Sequence, residues 1–331
     1  TLPTPQHASS RKEHEEMSRV DRLTVLGSGV LGGQIAFHSA FMGKTVVVYD
    51  IAEDAIERCK AAHDQYTPIY QSTLGATDAD IAATNQRLTF TTDLAAAVAQ
   101  ADLVIEAVPE IPDVKTAVYK EMAELLPAHT LIATNSSTLL PSDFAAAIGR
   151  PEKFCALHFA TTIWRMNFSE IMAHHTTSEE TLTAVTEFAI EIGMIPIPVR
   201  KEHNGYVVNS WLVPMLNAAQ TLVTNGISTP EDIDRTFMVL GAPVGPMGIM
   251  DLTGLTTAYN VLSHWGRVNG DAQMSANADY IKQHFVDQGR LGMQAGEGYY
   301  EYPDPAYQRP GFLNVPDISV VPHIVSLISP Q

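Results

Sequence analysis

From Val20 onward, short apolar runs alternate with longer segments whose apolar residues recur at helical spacing. Leu23–Leu26 reads as a first strand and Gly29–Met42 as a helix. Thr45–Tyr49 (TVVVY) is β-branched and too short for anything but a second strand. A helical stretch starts near Glu53 and runs towards Tyr66. Arg87–Thr91 then reads as a strand, Asp93–Ala99 as a short helix, Leu103–Val108 as a buried strand, Val114–Leu126 as a helix and Thr130–Thr134 as a strand. Strands alternating with helices predict a mainly parallel sheet covered on both faces.

After Pro151 the strands Phe154–Phe159, Phe168–Met172 and Ile195–Val199 flank a helix near Ser178–Ile192. From about Asn204 the strand signal stops. Val207–Val223 reads as a long helix that Pro214 should kink. Thr229-Pro230-Glu231 marks the next helix start, an N-cap followed by proline at the first helical position. These patterns predict a doubly wound α/β domain over residues 20–202, then an all-α domain over 203–331. Residues 1–19 are polar and carry no signal-peptide pattern; they are expected to be a flexible leader, with Met17 as the native start.

Composition narrows the function. The formal charge of −17 repels phosphate backbones and anionic lipid surfaces, so neither nucleic acid nor membrane is an expected partner. No apolar run approaches the roughly 18 residues of a membrane span. The two cysteines form no CxxC pair, and Cys155 in its apolar run reads as a buried free thiol, which fits a reducing cytoplasm. The histidines show no metal-ligand spacing, so no metal is expected.

One motif carries specific chemistry. Gly27-Ser28-Gly29-Val30-Leu31-Gly32 is GxGxxG with a strand before it and a helix after it. Gly27 permits the turn, Gly29 lets backbone approach a pyrophosphate, and Gly32 lets the helix pack on the sheet. The helix N-terminus offers free N–H groups to the phosphates. Asp50 closes the next strand, where a carboxylate accepts from ribose hydroxyls and repels a 2′-phosphate. The expected cofactor is therefore NAD, bound in a Rossmann-type domain.

Further blocks follow in order: DLVIEAVPE with Lys115, ATNSST (133–138), LHF ending at Phe159 with Glu170 beyond it, HNGYVVNSWLVP, EDIDRTFMVLGAPVGPMGIMDLTGL and GMQAGEGYYEY. Together they resemble the L-3-hydroxyacyl-CoA dehydrogenase family over nearly all of the chain after Val20. The resemblance implies oxidation of a 3-hydroxyl to a 3-keto group with NAD, and a homodimer formed through the second domain. It implies His158 as general base, Glu170 as its partner carboxylate, and Ser137 and Asn209 as hydrogen-bonding groups at the substrate. It places Glu110, Lys115 and Asn135 near the nicotinamide ribose. An imidazole suits the base role because it exchanges protons near neutral pH.

Two departures from the family concern the substrate. The family's HFFNPVP is here HFATTIWRM, which adds Trp164 and Arg165. The helix after Asp50, lysine-rich in members that use CoA, reads CKAAHDQYTPIYQSTLG from Cys59 and offers in that stretch Lys60 and a possible second cation in His63. Two substrates stay open: a short 3-hydroxyacyl-CoA, or a small free 3-hydroxy acid whose carboxylate Arg165 grips. Arg165 could equally be a surface side chain packed on Trp164. A lysine-dependent dehydrogenase using Lys201, and a non-catalytic NAD-binding protein, are the rival classes; the joint presence of His158, Glu170, Ser137 and Asn209 argues against both.

Overall fold

The computed structural model describes residues 20–314. The leader expected at 1–19, and the second domain beyond residue 314, lie outside the described residues. The chain divides into two compact units, Thr1–Ser210 and Trp211–Gln331.

The first unit is the expected doubly wound sheet. Its strands are β1 (Arg22–Leu26), β2 (Thr45–Tyr49), β3 (Leu88–Thr91), β4 (Leu103–Glu106), β5 (Leu131–Thr134), β6 (Phe154–Phe159), β7 (Phe168–Met172) and β8 (Ile195–Val199). They lie in the order β3-β2-β1-β4-β5-β6-β7-β8. Every pairing is parallel except β6 with β7. The order reverses between β1 and β4, and ligands of such sheets bind outside the strand carboxyl ends at that switch point.

Side-chain alternation sorts the strands into two buried faces. Val25, Val48, Ile105, Ala133 and Leu157 pack with α1 (Val30–Phe41) and α6 (Glu179–Glu191). Leu26, Val104, Ile132 and Phe154 pack on the other side with α4 (Leu94–Val98) and α5 (Pro112–Ala123). The same parity sends Glu106, two positions from Val104, towards α5. At the open border, β8 reads Ile-Pro-Ile-Pro-Val. The Ile195 N–H points inward to the Asn167 carbonyl at 2.8 Å, so the alternate residues Pro196 and Pro198 turn their nitrogens outward.

Two helices differ from the expectation. The helix after Asp50, α2, spans Glu53–Leu74 and runs straight through Pro68, well past Tyr66. Behind it stands α3 (Asp78–Gln86), whose Ala-rich sequence lacks apolar periodicity. Its start is fixed instead by a capping box, in which Thr77 and Asp80 satisfy each other's backbone N–H groups.

Helix α7 (Val208–Thr224) continues through Pro214. The second unit adds α8 (Pro230–Met238), α9 (Pro246–Thr253), α10 (Leu255–Asn269) and α11 (Ala272–His284). Met247, Met250, Leu255 and Ile281 form the centre of its core. Two buried carboxylates organise it. Asp234 accepts from the Met247 and Gly248 N–H groups and from the Tyr300 hydroxyl. Asp251 accepts from the Tyr299 and Tyr300 N–H groups at 2.9 Å each and from the Tyr302 hydroxyl. Among the described residues no helix is long and apolar enough to cross a membrane.

Candidate active site

The turn from β1 into α1 is built from its glycines. Gly27 has φ +102°, and a Cβ there would stand 2.5 Å from the Ala107 carbonyl oxygen. A Cβ on Gly32 would stand 2.0 Å from the Gly27 oxygen. Gly29 differs: nothing lies within 4 Å of its Cβ position, so the space before the helix is open. Gly29 is also the N-cap of α1 and supplies no side-chain cap, which leaves the first-turn N–H groups for an anion. Val30 opens the helix as an exposed residue and Leu31 packs against the core. At the end of β2, Asp50 Oδ2 accepts from the Ser28 N–H (2.9 Å) and hydroxyl (2.7 Å). Its Oδ1 has only a 3.3 Å contact with the Ala52 N–H. An open backbone cradle beside an oriented carboxylate fits a dinucleotide with a free ribose diol.

The second group sits at the carboxyl end of β6. His158 and Glu170 are direct partners in the antiparallel β6–β7 pair, which is why a dozen residues of chain separate two side chains that touch. His158 Nδ1 lies 2.8 Å from Glu170 Oε2, and both side chains are buried. The other carboxylate oxygen, Oε1, accepts from the Val207 (2.7 Å) and Val208 (2.8 Å) N–H groups at the start of α7. Glu170 is thus held on both oxygens. Nδ1–H donating to a carboxylate leaves Nε2 as the imidazole's free basic atom. Tyr206 lies with its ring centroid 5.1 Å from that of the imidazole. It sits at φ +55°, a conformation rare for a bulky residue, and this turn aims the two N–H groups at Glu170.

A buried network supports the loop after β5. Glu106, fully buried, accepts from Lys115 Nζ (2.7 Å), the Tyr119 hydroxyl, the Thr134 hydroxyl (2.9 Å) and the Val108 N–H (2.8 Å). Lys115 also meets Glu110 Oε2 at 3.1 Å and the Val108 carbonyl at 3.4 Å, so its three protons all face protein oxygens. Glu110 Oε1 then gathers the Ser136 hydroxyl, the Ser137 and Thr138 N–H groups and the Thr138 hydroxyl. Burial alone would raise the Glu110 pKa, but the Lys115 charge and the bonds from Ser136, Lys115 and Thr138 outweigh it and hold it below the usual carboxylate range. Asn135 Oδ1 accepts from the Phe159 N–H at 2.9 Å, tying this loop to the strand that carries His158.

The structure therefore brings Glu110, Lys115 and Ser137 into one network, and His158 and Glu170 into a pair that Asn135 ties to the same loop. Asn209 lies in the first turn of α7, its N–H bonded to the Gly205 carbonyl. Arg165 is exposed and makes no ion pair among the described residues. His63 is corrected: it is buried, bonded to the Gly33 carbonyl at 2.9 Å, and pushed down to about 4 by burial, so it is neutral and adds no positive charge. The two cations of α2 are already paired, Arg58 with Asp54 and Lys60 with Glu57. Cys59 and Cys155 are buried free thiols, each pushed up to about 12, first of all by burial.

Comparison with known proteins decides the family. The model of the 3-hydroxyacyl-CoA dehydrogenase NAD-binding domain matches residues 22–203, and that of the family's C-terminal domain matches 205–302. The chain belongs to the 3-hydroxyacyl-CoA dehydrogenase family. It is an NAD-dependent oxidoreductase of that family. It is 31% identical over 290 residues to the human mitochondrial hydroxyacyl-coenzyme A dehydrogenase, covering 86% of this chain and 91% of that one. It is 33% identical over 280 residues to a probable 3-hydroxybutyryl-CoA dehydrogenase of Deinococcus radiodurans, covering 84% and 99%. It is also similar to a solved diketoreductase, described as acting on dicarbonyl compounds. That match has 46% identity and a TM-score of 0.80, and covers 86% of this chain and all of that one.

Proposed function

We propose that this dehydrogenase interconverts a hydroxyl and a keto group, three carbons along a small carbonyl compound that carries no CoA, with His158 as the proton-transferring residue. The observation that carries the reaction type is the His158–Glu170 pair near the carboxyl end of β6, in the sheet whose β1 leads into the glycine cradle. Bound NAD supplies the hydride acceptor. During oxidation His158 Nε2 takes the hydroxyl proton, and during reduction it returns that proton to the forming alkoxide. Glu170 fixes the ring and stabilises the imidazolium, because its own position is set by two backbone N–H groups. Ser137 and Asn209 donate to the reacting oxygen or its neighbours. Gly27, Gly29, Val30, Leu31 and Gly32 cradle the pyrophosphate, Asp50 holds the adenosine ribose, and Glu110 and Asn135 border the nicotinamide ribose. Lys115 belongs to this group through Glu110.

Two observations support a substrate without CoA. The only cations on α2 are neutralised by neighbouring acids, and His63 is uncharged, so this helix offers little to a ligand bearing several phosphates. The chain is also more similar to a diketoreductase, at 46% identity, than to the cited CoA dehydrogenases at 31% and 33%. The second reading, a short 3-hydroxyacyl-CoA, is favoured by the match of both domains to the family. The test follows NADH consumption with acetoacetyl-CoA, acetoacetate and ethyl acetoacetate. We expect higher kcat/KM for a compound without CoA. Preference for the thioester would establish the second reading, and preference for the free acid over its ester would point to Arg165.

A further inference from the structure

The loop joining the two members of the His158–Glu170 pair, residues 160–167, is fastened to the helix that follows the glycine cradle. Gln34 of α1 is buried, and its Oε1 accepts from the Thr162 N–H at 2.7 Å and the Ile163 N–H at 3.4 Å. Thr162 itself sits at φ 58°, a left-handed conformation that a β-branched residue rarely adopts unaided. Its carbonyl accepts from the Arg165 (2.8 Å) and Met166 (3.0 Å) N–H groups and closes the turn. Beside it, Ile163 enters the sheet core, and Trp164 packs on Tyr66 and Tyr70 with ring centroids 5.3 and 5.8 Å apart. Tyr70 is held in turn by His38 Nδ1 at 2.9 Å, an imidazole whose pKa burial lowers. The exposed residues of this loop are Thr161, Arg165, Met166 and Asn167.

We propose that Gln34 is a positioning residue that sets substrate discrimination, by clamping the left-handed turn at Thr162 and so fixing which side chains the loop presents beside His158. The inference rests on His158 being the proton-transferring residue, since that makes the loop a border of the substrate. The part-buried Thr162 N–H and the buried Ile163 N–H end on one side-chain oxygen, so that oxygen holds the left-handed turn. The contact also runs from the cofactor helix to the substrate border, a link that neither the glycine motif nor the catalytic pair contains.

The experiment compares Gln34→Ala with Gln34→Glu, which keeps an acceptor in place. Amide hydrogen exchange at Thr162 and Ile163 should quicken in Gln34→Ala and be restored in Gln34→Glu. In steady state, Gln34→Ala should raise KM for the carbonyl compound about ten-fold and change the ratio of kcat/KM between ethyl acetoacetate and a bulkier 3-keto ester. The NADH dissociation constant should stay unchanged. Unchanged exchange at Thr162 overturns the clamp. An equal loss for both esters overturns the discriminating role and leaves Gln34 a packing residue. A wild-type enzyme inactive on every 3-keto compound, with the exchange result intact, overturns the functional reading and leaves the clamp standing.

Discussion

His158 is useful as a base only if its ring is held, and Glu170 holds it through one oxygen while two backbone donors hold the other. His158→Gln keeps polarity and approximate size but removes the basic ring nitrogen. Turnover should fall by roughly two to four orders of magnitude while NAD binding, measured by calorimetry, persists; near-normal turnover would refute the assignment. Asp50 makes a separate prediction. Because Ser28 occupies Oδ2, the opposite oxygen is the one left to serve the proposed ribose contact. Asp50→Ala should weaken NAD about ten-fold or more and leave NADP little changed, and equal losses in a binding titration would remove the ribose role. These residues were legible because each stands in a local pattern: glycines between strand and helix, an acid at a strand end, a histidine and a glutamate in family order. Glu106 was not, because one carboxylate inside LVIEAV reads as part of an apolar strand until α5 brings Lys115 and Tyr119 against it. Tyr206 and Gln34 were missed for a similar reason. One acts through a backbone conformation, and the other meets a partner 128 positions away.

At the scale of elements, α2 illustrates how burial overrides composition. Its sequence shows two basic residues and a histidine, but folding pairs the first two and strips the third of charge. His63 is pushed down to about 4 from 6.5, so its contribution to stability is present above pH 6.5 and is lost as pH falls towards 4. That linkage amounts to roughly 3 kcal/mol across the window. Urea unfolding between pH 7 and 5 should show this acid weakening, and His63→Gln should flatten it; an identical slope in both proteins would exclude His63 as the cause. The length of α2 was hidden by Pro68, which the helix absorbs instead of stopping at. The helix α3 was hidden by its lack of an apolar face, although Thr77 and Asp80 form a capping signature that periodicity does not weigh. The β6–β7 reversal was also unmarked, since antiparallel and parallel strands share the same alternation.

For the whole molecule, one buried group in each unit is linked to acid in the opposite sense. Asp251, in the second unit, is raised to about 6 from 3.8, chiefly by burial, so its contribution is present below pH 3.8 and is lost as pH rises through 6. Hydrogen exchange, corrected for its intrinsic pH dependence, should therefore show protection falling around His63 and rising at Tyr299 and Tyr300 over the same acid range. Parallel changes in both places would contradict the opposed linkage. The alternation of strands and helices and the helical second half were legible from period alone, because two apolar faces demand helices to cover them. The open border of the sheet has a different consequence. A sheet ordinarily ends in a strand whose spare N–H groups can recruit a neighbouring chain. Along β8 those outward positions are Pro196 and Pro198, which have no proton to give. A second strand laid there would find acceptors but no answering donors, so the composition of β8 itself terminates the ladder. An acidic protein with a broad, largely parallel sheet is thereby kept from growing into a fibre along its last strand.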